Sequence, residues 1–178
     1  MDSINQNQAE ENRRDLSGPE AATKIKALAE KASTCFFCTR IRSSEAFRVR
    51  PMSVQEIGEN GDCWFLSADD SDHNKELAED PHMQLLFQGS HYSDFLSLFG
   101  SARIMRDRQK IEQLWQPLVK AWFTEGIDDP RITVIRFTPS EGYYWETKHG
   151  GLVALVKIAI GAATGKTMDD SIEGRVQP

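Results

Sequence analysis

The stretch from residue 34 to 68 constrains the fold most, because it holds three strand-like segments with no space for a helix between them. The segments read TCFFCTRI, AFRVRPMSV and DCWFLSA (34–41, 46–54 and 62–68) and are separated by short polar links. Each is rich in aromatic or β-branched residues, as strands are. Parallel neighbours would need a crossover of about a dozen residues. The sequence therefore predicts an antiparallel sheet in an α+β or mainly β protein.

Three more strands follow further along the chain. MQLLFQGS, DFLSLFGSARIMRD and RITVIRFTPSEGYYWE (83–90, 94–107 and 131–146) have the same character. Gly100 lies inside the long fifth segment, where an isolated glycine predicts a bulge or a close backbone approach. Six antiparallel strands joined by short links are expected to close into a barrel.

Helices are predicted beside these strands. Ser17 is expected to cap a first helix, and a short helix is expected over 72–80, before a proline. A third helix begins at Asp107. Trp115 and Trp122 follow its apolar stripe, so both are predicted to lie in the core.

The chain is expected to divide into an arm, one domain and a tail. Residues 1–16 are polar and predict a disordered arm, and residues 17–148 form the predicted domain. Residues 149–178 are predicted to be a C-terminal helix and tail. The apolar run GLVALVKIAIGAA (151–163) contains Lys157 and is shorter than the roughly 20 residues that cross a bilayer. We therefore expect no membrane span, with a docked helix or an interfacial anchor as the two readings.

Charge and cysteine content limit the function. A net charge of −6 argues against nucleic-acid binding, since such partners recruit clustered Lys and Arg. The three cysteines and the absence of a signal peptide predict a cytoplasmic protein. Cys35 and Cys38 have CxxC spacing, but on a strand they would point to opposite faces and be buried. The four histidines have no metal-ligand spacing, so no metal site is predicted.

Cations and hydroxyl groups near strand ends suggest a phosphate pocket. Arg50 lies in the second strand, Ser67 ends the third, and Asn74 and Lys75 open the following helix. Neighbouring strands could bring these groups together beside a helix N-terminus, which attracts anions. The alternative is that Arg50 and Lys75 pair with nearby acids, namely Glu45, Glu56 or Glu76.

Short motifs in chain order resemble a known family: the general stress proteins of the pyridoxamine-phosphate-oxidase-like, FMN-binding split-barrel superfamily. The resemblance covers roughly residues 20–160. The matching motifs are Arg50-Pro51-Met52, Trp64-Phe65-Leu66-Ser67, Asn74-Lys75, Phe99-Gly100-Ser101-Ala102, Leu114-Trp115 with Trp122-Phe123, Asp128-Asp129-Pro130-Arg131 and Tyr144-Trp145-Glu146.

The resemblance implies a six-stranded antiparallel split β-barrel with flanking helices, assembled as a homodimer with a flavin in each of two clefts at the subunit interface. The flavin is FMN, with FAD as the alternative. Arg50 and Lys75 would bind the phosphate, beside Asn74, and Ser67 would donate a hydroxyl hydrogen bond. Trp145 would lie in the flavin cleft, at the dimer interface or in the core. Backbone groups that would contact the ring edge belong to Pro51, Met52, Phe65 and Leu66.

Two functions remain open on this basis. The first is a cytoplasmic flavoprotein of the general stress class with oxidoreductase activity, in which the flavin supplies the electron chemistry. The second is a non-catalytic module that sequesters flavin or contacts other proteins. The arginine- and histidine-bearing C-terminal signature of the vitamin B6 oxidases is absent, so pyridoxamine phosphate oxidation is not expected. No side chain is predicted as a catalytic acid or base.

Overall fold

The computed structural model describes residues 12–91, 93–149, 157, 160 and 170–178. The helices are α1 (Gly18–Ala32), α2 (Asp72–Glu79) and α3 (Arg108–Leu114), with 3₁₀ helices at Pro117–Ala121 and Gly126–Asp128. The strands are β1 (Leu16–Ser17), β2 (Thr34–Thr39), β3 (Arg48–Ser53), β4 (Glu56–Ile57), β5 (Cys63–Ala68), β6 (His82–Gln88), β7 (Phe95–Met105), β8 (Ile132–Thr147) and β9 (Ser171–Gln177).

All the described strands belong to one sheet that is almost entirely antiparallel. Its main path runs β1-β9-β8-β7-β6-β2-β3, and β5 pairs with the first part of β8. The mainly β class and the split-barrel architecture are confirmed. Two details of the prediction are wrong: the sheet has more than six strands, and it does not close, because β3 and β5 form no ladder with each other.

The C-terminal region contributes a strand that the sequence did not predict. Strand β9 pairs with the end of β8 and, in parallel, with β1. Its sequence, SIEGRVQ, has little apolar character, but Val176 is fully buried by its neighbours. The helix predicted over 151–163 lies outside the described residues except at positions 157 and 160. Among the described residues, no helix has the length and hydropathy that crossing a bilayer requires.

The arm expected over residues 1–16 is only partly described. Residues 1–11 lie outside the described part of the chain. The carbonyl of Asn12 accepts a hydrogen bond from the amide of Glu173 at 2.9 Å, and the amide of Arg14 donates to the carbonyl of Glu173 at 2.9 Å. Residues 12–17 therefore run alongside β9.

The predicted irregularity at Gly100 is confirmed. The register between β7 and β8 shifts between Phe99 and Gly100. A Cβ atom at position 100 would lie 2.2 Å from the carbonyl oxygen of Thr138. Only glycine allows the two strands to approach this closely, so the bulge depends on the absence of a side chain.

Two apolar clusters hold the fold together. The larger lies between α1 and the inner face of the sheet, where Ile25 and Ala29 of α1 are fully buried and Phe37 packs edge-on against Phe65 with ring centroids 5.2 Å apart. The smaller covers the outer face of β5 and the start of β8. Its buried members are Ile111, Leu114, Val119, Phe123, Ile132 and Val134.

The third helix is shorter than predicted. Helix α3 starts after its Asp107 cap, as expected, but it ends at Leu114, because Pro117 cannot continue an α-helix and restricts the residue before it. Beyond this break the apolar stripe no longer applies. Trp122 is 70% exposed, so its assignment to the core is wrong. Trp115 is half-buried and packs near Phe123.

The cysteines are buried thiols. Cys35, Cys38 and Cys63 are free and almost inaccessible to solvent. Burial raises the pKa of Cys63 to about 12 and also raises the pKa of Cys35. Thiolate is the reactive form, so these side chains are inert at neutral pH.

Candidate functional site

The sheet splits open between β3 and β5. The amide of Gln55, just after β3, donates to the carbonyl of Trp64 in β5 at 2.9 Å. Away from this contact, β3 pairs only with β2, and Phe65–Ala68 pair only with β8, within the described part of the chain. Each strand therefore presents an open backbone edge, with unused donors and acceptors, to the space between them.

A cavity of about 320 Å³, the apolar cavity, lies between these two edges. Its strand walls include four residues predicted for the ring of a ligand or its neighbourhood: Pro51, Met52, Leu66 and Ser67. The opposite wall comes from the first 3₁₀ helix and the residues after it. That wall consists of Val119, Trp122 and Phe123. The exposed indole of Trp122 therefore forms part of the cavity wall.

A second cavity of about 350 Å³, the cationic cleft, lies on the other side of the first turn of α2. Arg50, which lines it, is adjacent in sequence to Pro51 of the apolar cavity. The cleft contains four basic and three acidic side chains, whereas the whole chain carries −6. These are Arg40, Arg48, Arg50 and Lys75, with Asp72, Glu76 and Glu79. The local excess of positive charge is what an anionic group requires.

Arg50 is held in place by two neighbours. Its Nη1 donates to Thr39 Oγ1 at 2.8 Å and its Nη2 donates to Glu76 Oε2 at 2.7 Å. Thr39 Oγ1 donates to the same Glu76 oxygen at 2.6 Å. Burial opposes ionisation of Glu76, but these hydrogen bonds outweigh it and keep its pKa below the usual value. The pairing of Arg50 with Glu76, which the sequence left open, is thus present. Three of the five N–H groups of Arg50 remain without a partner among the described residues.

Lys75 lies in the same cleft but is much less constrained. Its side chain is 64% exposed, and its Nζ is 3.9 Å from Asp72. The two cations predicted for a phosphate group therefore line one cleft. Arg50 is oriented by two close hydrogen bonds, whereas the side chain of Lys75 is largely exposed.

Ser67 and Asn74 belong to a buried hydrogen-bond network. Ser67 Oγ donates to Asn74 Oδ1 at 2.8 Å, and Asn74 Nδ2 donates to Thr133 Oγ1 at 2.8 Å. Thr133 Oγ1 donates back to the Ser67 carbonyl at 3.0 Å. The hydroxyl proton of Ser67 is therefore committed to Asn74 rather than to a ligand. Asn74 lines neither cavity and acts by fixing the end of β5.

His73 lines the candidate site, and the sequence did not identify it. It lines the apolar cavity, and its Nε2 lies 2.5 Å from Ser67 Oγ. Since the Ser67 proton is directed to Asn74, His73 must be the donor at Nε2, which leaves Nδ1 as an acceptor. Burial lowers the pKa of His73 and the charge of Arg50 lowers it further, so the ring is neutral at pH 7. In the described residues, no group of three His, Cys, Asp or Glu side chains is arranged to hold a metal ion.

Two predicted residues do not reach the cavities with their side chains. Phe65 is fully buried in the core, so only its backbone lies at the open edge. Trp145 lies eight residues beyond Phe137, the last residue of β8 that pairs with β5. At the rise of an extended strand this separation is about 26 Å. Within one subunit, Trp145 is therefore remote from the split.

The fold and the site together define an open, split β-barrel with a ligand-sized opening between two strand edges. Residues 20–169 match the family model described as pyridoxamine 5'-phosphate oxidase like. The chain belongs to this family.

Similarity to individual proteins agrees with this membership. The Neurospora crassa protein bli-3 is 29% identical over 113 residues, which span 59% of this chain and 54% of that protein, so the match covers about half of the relative's length. A crystal structure from Jannaschia sp. CCS1, provisionally assigned as general stress protein 26, is 25% identical with a TM-score of 0.73 and covers 88% of this chain and 97% of that one. The general stress FMN/FAD binding protein of Xanthomonas citri is 26% identical, with a TM-score of 0.56 over 68% and 84% of the two chains.

Proposed function

We propose that the protein binds a flavin in the split between β3 and β5, with the ring in the apolar cavity and the phosphate in the cationic cleft. The observation that carries this proposal is the adjacency of the two cavities at Arg50 and Pro51. Family membership supports it, as does the name of the FMN/FAD binding protein of Xanthomonas citri.

The apolar cavity suits a flat heteroaromatic ring. Met52, Leu66 and Phe123 supply apolar walls, while the open strand edges supply backbone donors and acceptors for the ring edge. Pro51 cannot donate a ladder hydrogen bond, which is consistent with a strand whose free edge faces a ligand rather than another strand. We therefore keep the predicted contacts to the ring edge, which come from Pro51, Met52, Phe65 and Leu66. Phe65 contributes only its backbone, because its side chain is buried.

The cationic cleft suits the phosphate at the other end of the flavin. Arginine binds phosphate through charge-assisted, often bidentate hydrogen bonds. Arg50 is already oriented by Thr39 and Glu76, so little side-chain entropy is lost when a ligand binds. Lys75 adds a second, weaker contact because its side chain is exposed.

The outer face of the sheet supports a homodimer. Residues paired across antiparallel ladders share a face, and the ladders place Phe36, Leu86 and Trp145 on the face opposite the core. Phe36 is 53% exposed and Val49 on the same face is 48% exposed. A second copy of the chain would cover these apolar groups. Trp145 is accordingly assigned to the subunit interface.

The flavin would supply the electron-transfer chemistry, and the chain's own residues would bind and orient it. His73 is neutral and could accept a hydrogen bond at Nδ1 from a ligand in the apolar cavity. Oxidoreductase activity is the function we propose. Sequestration of flavin without turnover is the second candidate, favoured by the commitment of the Ser67 hydroxyl and of Asn74 to the buried network.

The visible absorption spectrum of the purified protein, before and after addition of FMN, tests flavin binding. We expect the bands of bound flavin, shifted from those of free FMN, at one flavin per chain. A colourless protein that leaves the FMN spectrum unchanged would contradict the proposal. Oxidation of NADPH then separates the two candidates: the oxidoreductase consumes NADPH faster than free FMN does, and the sequestering module does not.

A further inference from the structure

We propose that the cationic cleft binds a diphosphate, with Arg50 on one phosphate group and Arg48 on the next. This inference rests on the proposed flavin site and extends it. The ligand class is a dinucleotide, and its diphosphate could be that of FAD or of a pyridine dinucleotide.

Arg48 and Arg50 lie on the same face of the same strand. In the ladder between β2 and β3, Arg50 is opposite Phe37 and Arg48 is opposite Thr39. Residues two apart on a strand project in the same direction, with Cα atoms about 7 Å apart. Both side chains line the cationic cleft. The strand therefore presents two guanidinium groups in a row, leading away from the apolar cavity.

Every cation that lines the cleft except Arg48 has an acidic partner that also lines it. Glu76 pairs with Arg50 at 2.7 Å, and Glu79 pairs with Arg40 at 3.0 Å. Asp72 is 3.9 Å from Lys75.

The side chain of Arg48 is exposed and makes no hydrogen bond or ion pair with any residue that the structure describes. It is thus the uncompensated charge of the cleft, beside three other cations. A charge in this position is stabilised by an additional anion.

A single phosphate would leave this charge unused. Three N–H groups of Arg50 have no partner in the described part of the chain, and Lys75 lines the same space, so a monophosphate already has sufficient donors. The cleft continues past them to Arg48 and encloses about 350 Å³. A diphosphate carries its second group in that direction and uses the remaining guanidinium. Arg48 is therefore the residue that would make the cleft bind a diphosphate more tightly than a monophosphate.

The test is a fluorescence titration of riboflavin, FMN and FAD against the wild-type protein and Arg48→Ala. Arg103→Ala is the matched control, because Arg103 is an exposed arginine on β7 that lines neither cavity. We expect Arg48→Ala to weaken FAD binding by about tenfold, FMN binding by less than about twofold, and riboflavin binding not at all. Arg103→Ala should leave all three affinities unchanged. Because Arg48 is exposed, the variant should fold normally, which circular dichroism checks.

NADPH titrated against the flavin-free protein distinguishes the two sources of diphosphate, because bound FMN would already occupy Arg50. Loss of NADPH affinity in Arg48→Ala, with FAD affinity unchanged, assigns the subsite to a pyridine dinucleotide. Equal losses of FMN and FAD affinity in Arg48→Ala, or unchanged affinities for both FAD and NADPH, would overturn the inference. If the proposed flavin site itself is wrong, the result is different: riboflavin, FMN and FAD would then all fail to bind the wild-type protein.

Discussion

Arg50 of β3 and Glu76 of α2 form an ion pair at 2.7 Å across the inner end of the cationic cleft. The side chain of Glu76 is only 12% exposed, and that of Arg50 is 23% exposed. The pair fixes the guanidinium that we assign to the flavin phosphate. It also means that removing Arg50 alone would leave a partly buried carboxylate without its partner.

The role of Arg50 is therefore best tested in a charge-balanced variant. Arg50→Ala combined with Glu76→Gln should weaken FMN binding by about tenfold or more, since a charge-assisted phosphate contact is worth about 1.5–3 kcal/mol. Riboflavin, which has no phosphate, should bind as it does to the wild type. Fluorescence titration of both ligands measures the difference. The single variant Glu76→Gln retains Arg50 and should not weaken FMN binding, and equal losses in both variants would contradict the assignment.

The buried network around Asn74 predicts a large effect on stability. Asn74→Leu removes the acceptor of the Ser67 hydroxyl proton and the donor to Thr133 Oγ1, while Ser67 and Thr133 both remain buried. We expect the free energy of unfolding to fall by about 1–3 kcal/mol for the unsatisfied groups. Urea denaturation at pH 7.5 measures it. Gln109→Leu on the exposed side of α3 is the control and should change stability by less than about 0.5 kcal/mol; similar losses in both variants would show that the network contributes nothing.

His73 predicts a pH dependence of stability. Burial and the charge of Arg50 lower its pKa below the usual 6.5, so the folded protein binds this proton more weakly than the unfolded chain does. The stability from this group is fully present above pH 6.5 and is lost as the pH falls through the folded-state pKa. His73→Gln can still donate to Ser67 but does not titrate. Urea midpoints at pH 7.5 and 5.5 should therefore differ less in His73→Gln than in the wild type, and an identical decline would rule out His73 as its source.

The outer face of the sheet predicts the oligomeric state. The wild-type protein should have a mass of about twice 20.1 kDa by light scattering. Phe36→Glu places a charge on the proposed interface, where its desolvation is costly, and should give a monomer. Leu118→Glu makes the same change at a residue that is 76% exposed and lies on the 3₁₀ helix, away from that face, and should remain a dimer. A monomeric wild type, or a monomer only in Leu118→Glu, would exclude this interface.

The parts of the fold that were predictable are those with strong local signals. Short links between apolar segments required antiparallel pairing, Gly100 marked the bulge, and Asp107 marked a helix start. Strand β9 was missed because its burial depends on pairing with β8, and its own sequence is mostly polar. The apolar spacing predicted a buried Trp122, but this spacing does not apply beyond Pro117, which ends the helical register, and Trp122 is exposed.

The lining of the two cavities was predictable as a set of residues but not as a set of interactions. Pro51, Met52, Leu66 and Ser67 do line one cavity, and Arg50 and Lys75 line the next. No pattern along the chain indicates that Ser67 donates its proton to Asn74.

Two further cavity-lining residues, His73 and Arg48, also lacked a local signal. Their roles depend on distances between separate elements, which only the folded chain defines. The metal-ligand spacing of histidines along the chain does not detect a single histidine in a cavity wall, such as His73.

The central claim is that the split between β3 and β5 binds a flavin with its phosphate at Arg50. The most direct measurement is a crystal structure of the protein grown with saturating FMN. The account predicts the ring between the two strand edges and phosphate oxygens within hydrogen-bond distance of the Arg50 guanidinium. Flavin bound elsewhere, or an empty split in crystals that contain saturating FMN, would contradict it.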